Sequence, residues 1–271
     1  MCSAHHTLRE LSAESIPSWT QIRMLDISLI IPANNEEAQI GACLESAIRN
    51  SRGKFKEILV IDNASTDGTA AIARSYQGVR VISEPRKGLT RARQCGLDNA
   101  TGDILAYIDA DTRLPENWVD VVEQTFATRA DAVSLSGSAR YFDAGGWERL
   151  ALLLGWWLSA PLAYRFTGYM IFGAHFAARR TALANIGGFN QSIDFYGEDT
   201  DLARRLATQG KTIFRMDFFI YTSARRFQNE GIMRAFFLYG MNFIWPVLFS
   251  RPFTTSYRDI RVSPLAKSDR R

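Results

Sequence analysis

Short apolar runs alternate with helical patterns through the first 110 residues of the chain. The apolar runs are residues 27–32, 57–62, 79–84 and 104–108. The stretches between them that carry helical spacing are residues 38–50, 67–76 and 89–100. Alternation of apolar strands with helices predicts a parallel sheet that is covered on both faces.

Polar residues follow each predicted strand, at the edge where open α/β sheets bind their ligands. Asp109 and Asp111 come directly after residues 104–108. Side chains spaced i, i+2 point the same way in a strand, so the two carboxylates can converge as the strand ends. Carboxylate oxygens with room for water and phosphate suit Mg²⁺ or Mn²⁺. A polar turn capping a buried strand would show the same short pattern, so its context decides between the two.

Six short motifs provide that context. They are residues 28–36, 60–69, 88–94, 109–111, 187–189 and 197–202. In this order they resemble the family 2 glycosyltransferases, over roughly residues 26–215. The resemblance implies the GT-A fold, a Rossmann-like and mostly parallel central sheet flanked by helices, here followed by apolar, amphipathic C-terminal helices. It also implies an enzyme that moves a sugar from a nucleotide-sugar, most often a uridine diphosphate sugar, to a hydroxyl or phosphate acceptor with inversion.

The resemblance assigns the donor nucleotide to the first loops. Pro32, Ala33 and Glu36 are expected around the base and ribose, and Asp62 on the base. Arg93 offers a planar donor fork for a phosphate or a carboxylate. The structural alternatives are a helix cap at Asp62, a first-turn charge at Glu36 and a solvent-facing arginine at position 93.

Four carboxylates carry the expected chemistry. By resemblance, Asp111 ligates a divalent cation, Mn²⁺ or Mg²⁺, and Asp109 contacts the ribose or the cation through water. Asp199 is the expected general base, which takes the proton of the acceptor hydroxyl, and Glu198 positions the acceptor. Glu198 and Asp199 could instead be ordinary first-turn charges of a helix.

One departure from the family concerns the cation. Many GT-A enzymes supply a second metal ligand, often a histidine, after the helix that bears the base. Residues 218–226 contain no histidine. The cation would then be held by Asp111 and the diphosphate, or Arg225 and Arg226 would neutralise part of the charge. The lone His175 is assigned no catalytic role.

Two longer apolar stretches, residues 150–164 and 235–249, each contain a proline and fall short of the ~20 apolar residues that span a bilayer. They could be buried helices or a contact between subunits. Trp156, Trp157 and Trp245, beside arginines, slightly favour helices that lie in a membrane interface.

Charge is distributed unevenly along a chain of formal net charge +4. Residues 202–271 hold thirteen Lys or Arg against four Asp or Glu, which indicates phosphates or an acidic membrane surface as partner. Nucleic acid is the competing partner, but no recognised binding motif is present. The three cysteines lack metal-type spacing, which favours a reducing compartment. Residues 1–25 show no apolar core of signal-peptide length, so we expect a cytoplasmic protein, peripheral to the cytoplasmic face of the membrane.

The predicted organisation is a flexible leader over residues 1–25, a glycosyltransferase domain over residues 26–226 and a basic, aromatic extension over residues 227–271. The domain divides near residue 112 into a nucleotide-binding half (residues 26–112) and an acceptor half (residues 113–226). Cell-surface polysaccharide or glycolipid synthesis is the expected setting, with a lipid-linked acceptor if the tryptophan-rich stretches meet membrane.

Two other classes of protein compete with this interpretation. A nucleotidyltransferase would carry a glycine-rich basic loop after its first strand, and residues 33–38 are not such a loop. A non-catalytic sugar-nucleotide-binding or membrane scaffold protein would have no need of the intact carboxylates at the predicted site.

Overall fold

A computed structural model describes residues 25–193, 196–249 and 253–254. The strands are β1 (Ile27–Ala33), β2 (Phe55–Asp62), β3 (Val79–Ser83), β4 (Ile104–Ile108), β5 (Thr112–Arg113), β6 (Ala132–Tyr141), β7 (His175–Arg179) and β8 (Lys211–Thr222). The helices are α1 (Ile40–Ser51), α2 (Thr69–Arg74), α3 (Leu89–Asn99), α4 (Trp118–Thr128), α5 (Gly146–Thr167), α6 (Arg180–Asn185), α7 (Glu198–Leu206), α8 (Arg225–Glu230) and α9 (Ile232–Phe249).

These strands form one sheet in the order β3-β2-β1-β4-β7-β6-β8-β5. The first four strands of that order pair in parallel. β7 then runs antiparallel to both β4 and β6, while β6 and β8 are parallel and β5 pairs antiparallel with β8. The mostly parallel sheet flanked by helices is therefore confirmed, and the antiparallel β7 joins its two halves.

The first half of the sheet forms where the apolar runs predicted it. Every residue of β1 is buried, including the polar Ser28, because helices cover both of its faces. On one face α3 lies very close, since a Cβ on Gly96 would come 2.5 Å from Cγ2 of Ile30. A strand that is buried on both faces has a continuously apolar sequence, which is why the sequence predicted β1.

The two longer apolar stretches form α5 and α9, which pack against each other. A Cβ on Gly155 of α5 would overlap the ring of Phe236 of α9, so the close approach of these helices depends on glycine. Among the described residues, no helix has the length and apolar character needed to cross a bilayer.

The predicted leader, residues 1–25, lies outside the described residues except for Leu25. Most of the extension over residues 227–271 that follows α9 also lies outside them. The proposed boundary at residue 226 falls within α8, and the division of the chain into domains stays a prediction.

Candidate active site

The loops that follow β1 and β2 lie side by side, because Ala33 and Asp62 are paired at the ends of these strands. The amide of Asn34 donates to the carbonyl oxygen of Asn63 at 2.7 Å. Ala64 has φ +57°, a left-handed conformation that non-glycine residues rarely adopt. The side chain of Asn34 donates hydrogen bonds to the carbonyl oxygens of Asn63 and Ala64 and so holds this strained backbone in place. Such strain is common at ligand sites.

Asn63 connects these loops to the one after β3. Its side-chain amide donates to the carbonyl oxygens of Glu84 at 3.1 Å and Arg86 at 2.8 Å, and its Oδ1 accepts the backbone N–H of Gly88 at 2.8 Å. Sequence reasoning missed this role, although the signal was present, since Asn63 directly follows Asp62 at the end of a buried strand.

A cavity of about 1160 Å³ opens at this edge of the sheet, bounded also by α5, α9 and the starts of α7 and α8. Eight of the nine predicted site residues line it. They are Pro32, Ala33, Glu36, Arg93, Asp109, Asp111, Glu198 and Asp199. Asp62 is not among the lining residues; its Oδ1 accepts the N–H of Ser65 at 3.3 Å, and Asn63 lines the cavity beside it.

Arg93 is buried rather than solvent-facing, with 1% of its side chain exposed. Its Nη1 lies 2.5 Å from Oε1 of Glu198, and its Nη2 lies 3.6 Å from Oδ1 of Asp109. Nη2 also donates to the carbonyl oxygen of Gly173 at 2.7 Å. A Cβ on Gly173 would lie 2.8 Å from Oε1 of Glu198, so the absence of a side chain lets this backbone approach the ion pair. The guanidinium of Arg93 thereby connects Asp109, which follows β4, to Glu198 at the start of α7.

Burial shifts the acids of this group toward neutrality. The pKa of Glu198 is raised to about 7 by burial, against the opposing effect of Arg93. Burial likewise raises the pKa of Asp109 and that of Asp199 above their usual ranges. Oδ1 of Asp199 accepts the N–H of Thr200 at 2.8 Å, which fixes the carboxylate at the cavity wall. A carboxylate with a raised pKa is a better proton acceptor near neutral pH.

Asp111 and Glu36 share one arginine from the far end of the chain. Nε of Arg225 lies 3.0 Å from Oδ2 of Asp111, and its two terminal nitrogens donate to Glu36 at 2.9 and 2.5 Å. Although burial opposes it, the charges of Asp111 and Glu36 raise the pKa of Arg225. Glu36 lies four residues before the start of α1, so its carboxylate is a partner of Arg225 and not a first-turn charge.

No group of three or more His, Cys, Asp or Glu side chains within residues 25–193, 196–249 and 253–254 is arranged to hold a metal ion. The chain after α7 brings Arg225 to Asp111. In many GT-A enzymes this part of the chain supplies a second metal ligand, often a histidine. The cavity therefore offers oxygen ligands from Asp109 and Asp111 and a positive charge beside them.

His175 lies in the core behind the site and is fully buried. Its Nδ1 accepts the indole N–H of Trp118 at 3.2 Å, and its Nε2 donates to the carbonyl oxygen of Ser138 at 2.9 Å. Burial lowers the pKa of this ring to about 4. These contacts require the neutral ring and make it a packed core residue.

A second ionic group, of which the sequence predicted only Arg226, borders the cavity near α7. Arg226 pairs with Glu230 at 3.0 Å, and the hydroxyl of Tyr196 donates to the same carboxylate at 3.1 Å. The i, i+4 spacing of Arg226 and Glu230 was visible in the sequence, but only the packing of α8 against Tyr196 places the pair at the cavity.

Comparison with known proteins assigns the chain to a family. Residues 28–187 match the model described as glycosyl transferase family 2, and residues 158–229 match one described as the N-terminal domain of galactosyltransferase. The first match covers more than half of the chain, and the chain belongs to glycosyl transferase family 2. The recognition from the six motifs is confirmed.

Individual relatives cover less of the chain. Glycosyltransferase AglE of Haloferax volcanii is 36% identical over 100 residues, which are 35% of this chain and 33% of the relative. The dodecaprenyl-phosphate galacturonate synthase of Rhizobium johnstonii is 35% identical over 98 residues, covering 33% and 29%. The matched parts thus span about a third of the length of these curated relatives.

A solved structure shares the fold over most of the chain. The mannosyltransferase PcManGT of Pyrobaculum calidifontis, determined in complex with GDP-Man and Mn²⁺, matches with a TM-score of 0.60 and 20% identity. The match covers 84% of this chain and 66% of that one. The predicted GT-A fold is confirmed by this likeness.

Proposed function

We propose that the chain is an inverting glycosyltransferase that moves a sugar from a nucleoside diphosphate sugar to a hydroxyl or phosphate acceptor. The observation that carries the proposal is a single cavity lined by both the Asp109–Asp111 pair and the Glu198–Asp199 pair. A donor bound at the first pair would present its sugar to a proton acceptor at the second.

The donor half of the reaction belongs to the sheet edge. The base and ribose would lie against Pro32, Ala33 and Asn63, with Asp62 beside them. The diphosphate would reach Asp111 and Arg225. On binding, Arg225 would exchange its contacts with the two carboxylates for contacts with the phosphates, since a guanidinium matches both kinds of oxygen pair. The preference for uridine stays a prediction.

A divalent cation fits this end of the cavity. Asp109 and Asp111 supply hard oxygens there, with 38% and 12% of their side chains exposed. Mn²⁺ and Mg²⁺ take one or two carboxylates and complete their coordination with water and substrate phosphates. The cation would supply neutralisation of the charge that develops on the leaving diphosphate. The solved mannosyltransferase with the same fold binds Mn²⁺.

The acceptor half belongs to Asp199. Its carboxylate would accept the proton of the acceptor hydroxyl while that oxygen forms a bond to the anomeric carbon and the bond from this carbon to the diphosphate breaks. The raised pKa of Asp199 suits this transfer. Arg93 would keep Glu198 and the start of α7 in place, so that Glu198 can position the acceptor.

The setting we propose is the synthesis of a cell-surface polysaccharide or glycolipid at the cytoplasmic face of a membrane. One face of α5 exposes large apolar side chains that do not line the cavity, with between 50% and 75% of each residue exposed. We call this the outer face of α5. It consists of Trp147, Leu150, Leu154, Trp157 and Leu158. Exposed Arg149 and Arg165 on the same helix would attract anionic lipids, which supports a peripheral contact.

Donor binding and hydrolysis across a panel of nucleotide-sugars test the proposed function. The panel is run with Mn²⁺, with Mg²⁺ and with chelator, on the wild type and on Asp111→Asn. Asp217→Asn is the matched control, because Asp217 is an exposed acid that pairs with Arg215 outside the cavity. We expect one donor to be used selectively, and use to be lost in Asp111→Asn only. Absence of binding to every donor, or equal use by both variants, would contradict the proposal.

A further inference from the structure

A second apolar surface of α5 faces the cavity instead of the exterior. Leu162 and Phe166 line the cavity, yet they remain 56% and 81% exposed. Across from them Ile244 of α9 also lines the cavity and is 51% exposed. We call this surface the apolar groove. Its walls are Trp156, Leu162, Phe166, Phe236, Phe243 and Ile244.

The groove is continuous with the candidate active site. The same cavity includes Asp199 and Asp111 at its polar end and the α5 and α9 side chains at its apolar end. Its volume of about 1160 Å³ exceeds the ~300–1,000 Å³ of most small-molecule sites. A hydrophilic donor and acceptor would leave the exposed side chains of the groove in contact with water, which is unfavourable for apolar surface.

We propose that the apolar groove binds the hydrophobic chain of an amphiphilic acceptor whose phosphate or hydroxyl head reaches Asp199. This inference rests on the proposed function and specifies the class of acceptor. It differs from contact between the outer face of α5 and a bilayer, because the groove holds one chain of one substrate molecule inside the cavity.

The two residues that the structure describes after α9 are Phe253 and Thr254, and both bond to Asn242 of that helix. Phe253 contacts the rings of Phe237 and Trp245, neither of which lines the cavity. Its N–H donates to Oδ1 of Asn242 at 3.1 Å. Phe253 therefore contacts α9 through Phe237, Asn242 and Trp245, none of which is a wall of the groove.

Calorimetric titration with dodecyl phosphate below its micelle concentration tests the groove, with decanol as a second arm for a hydroxyl head group. Leu162→Glu places a charge in the groove. Leu154→Glu is its matched control, because Leu154 is 50% exposed on the same helix but does not line the cavity. We expect saturable binding that Leu162→Glu weakens at least tenfold and Leu154→Glu leaves unchanged.

Binding to vesicles that contain anionic lipid should respond in the opposite way, with the larger loss in Leu154→Glu. A second pair of variants, on α9, keeps the test informative if one of the α5 variants misfolds. Ile244→Glu alters the groove, whereas Met233→Glu alters a residue that is 83% exposed and lies outside the cavity. Thermal unfolding of each variant is measured alongside.

Three results would overturn the inference. These are no saturable binding to the wild type, equal loss in groove and control variants, and a change of molecular mass in Leu162→Glu by light scattering, which would make a second copy the occupant. Binding of UDP and GDP with Mn²⁺ is measured separately on the same variants. Binding of the amphiphile without binding of the nucleotide would refute the proposed function, while the groove would still bind a hydrophobic chain. Binding of the nucleotide without binding of the amphiphile would refute only the proposal for the groove.

Discussion

The cavity has two walls that differ in what their side chains contact. On the sheet side, Arg93 pairs with Glu198 and Arg225 pairs with Glu36 and Asp111, all within a largely buried network. On the α5 and α9 side, Leu162, Phe166 and Ile244 each remain more than half exposed. The charged side chains of the first wall pair with one another, whereas the second wall exposes apolar surface that a ligand would cover.

That difference follows from the chemistry of each wall. Buried charges are costly unless they are paired, so the charged wall has to be organised when the chain folds. Exposed apolar side chains cost less, and a contiguous patch of them commonly marks an interaction site. This contrast agrees with the two proposals above, in which the charged wall holds the donor and the proton acceptor and the apolar wall binds the hydrophobic chain of the acceptor.

Asp199→Asn gives the largest expected effect, because it removes the proposed general base from the charged wall. Donor turnover should fall ~10²–10⁴-fold through loss of the general base, with the affinity for the nucleoside diphosphate unchanged. Steady-state kinetics and calorimetry measure the two quantities. Asp201→Asn, two positions along α7 and paired with Arg205, is the control that should keep its turnover. Parallel loss of affinity and turnover would mean that Asp199 is structural.

Arg93→Met tests whether the charged wall depends on its buried cation. The free energy of unfolding should fall by about 3–5 kcal/mol, the usual cost of removing one partner of a buried pair. Urea denaturation measures it. Arg93→Met combined with Glu198→Gln should recover part of the loss, since the second change removes a carboxylate left unpaired. Unchanged stability of the single variant would show that the wall is organised by other contacts.

His175 is buried as a neutral ring, whereas the buried groups of the charged wall are ion-paired. The pH dependence of the unfolding free energy should show the contribution of the neutral ring. Its pKa of about 4 lies below the 6.5 of an unperturbed histidine, so the stability that the neutral ring contributes is complete above pH 6.5 and is lost as pH falls toward 4. The loss amounts to roughly 3 kcal/mol. His175→Gln should flatten the dependence of unfolding free energy on pH across that range. The same slope in both proteins would assign it to other groups.

Arg225→Gln has the smallest expected effect and tests the exchange of partners at the donor site. Affinity for a nucleoside diphosphate should weaken about tenfold, which equals ~1.4 kcal/mol and is typical of one charged hydrogen-bonding group. Calorimetry measures it. Arg140→Gln is the control, because Arg140 stacks on Phe219 outside the cavity. Unchanged or tighter binding in Arg225→Gln would show that Arg225 only neutralises the two carboxylates.

Much of the structure of residues 26–112 was predictable because its signals are local. β1 and β4 are buried on both faces, so their sequences are continuously apolar, and each is followed by polar residues at the ligand-binding edge. Asp109, Asp111, Glu198 and Asp199 stood in short motifs with a fixed order, and all four line the cavity.

Sequence patterns could not predict contacts between residues that are far apart along the chain. Arg225 and Glu36 are 189 positions apart, and no local spacing indicates that they pair. Arg93 could have been a solvent-facing helical arginine, and only the packing of α3 against the segment at Gly173 buries it. The apolar stretches allowed a core helix, a subunit contact or a membrane helix, because periodicity describes one helix and not its neighbour.

The sequence by itself determined the first four strands, the loops that carry carboxylates and the family to which the chain belongs. These properties depend on burial and chemistry over a few consecutive residues. The tertiary structure alone decided which charges neutralise one another and which apolar side chains stay uncovered. Both depend on how α5, α8 and α9 pack around the sheet, and packing brings together residues whose separation along the chain carries no information about their contact.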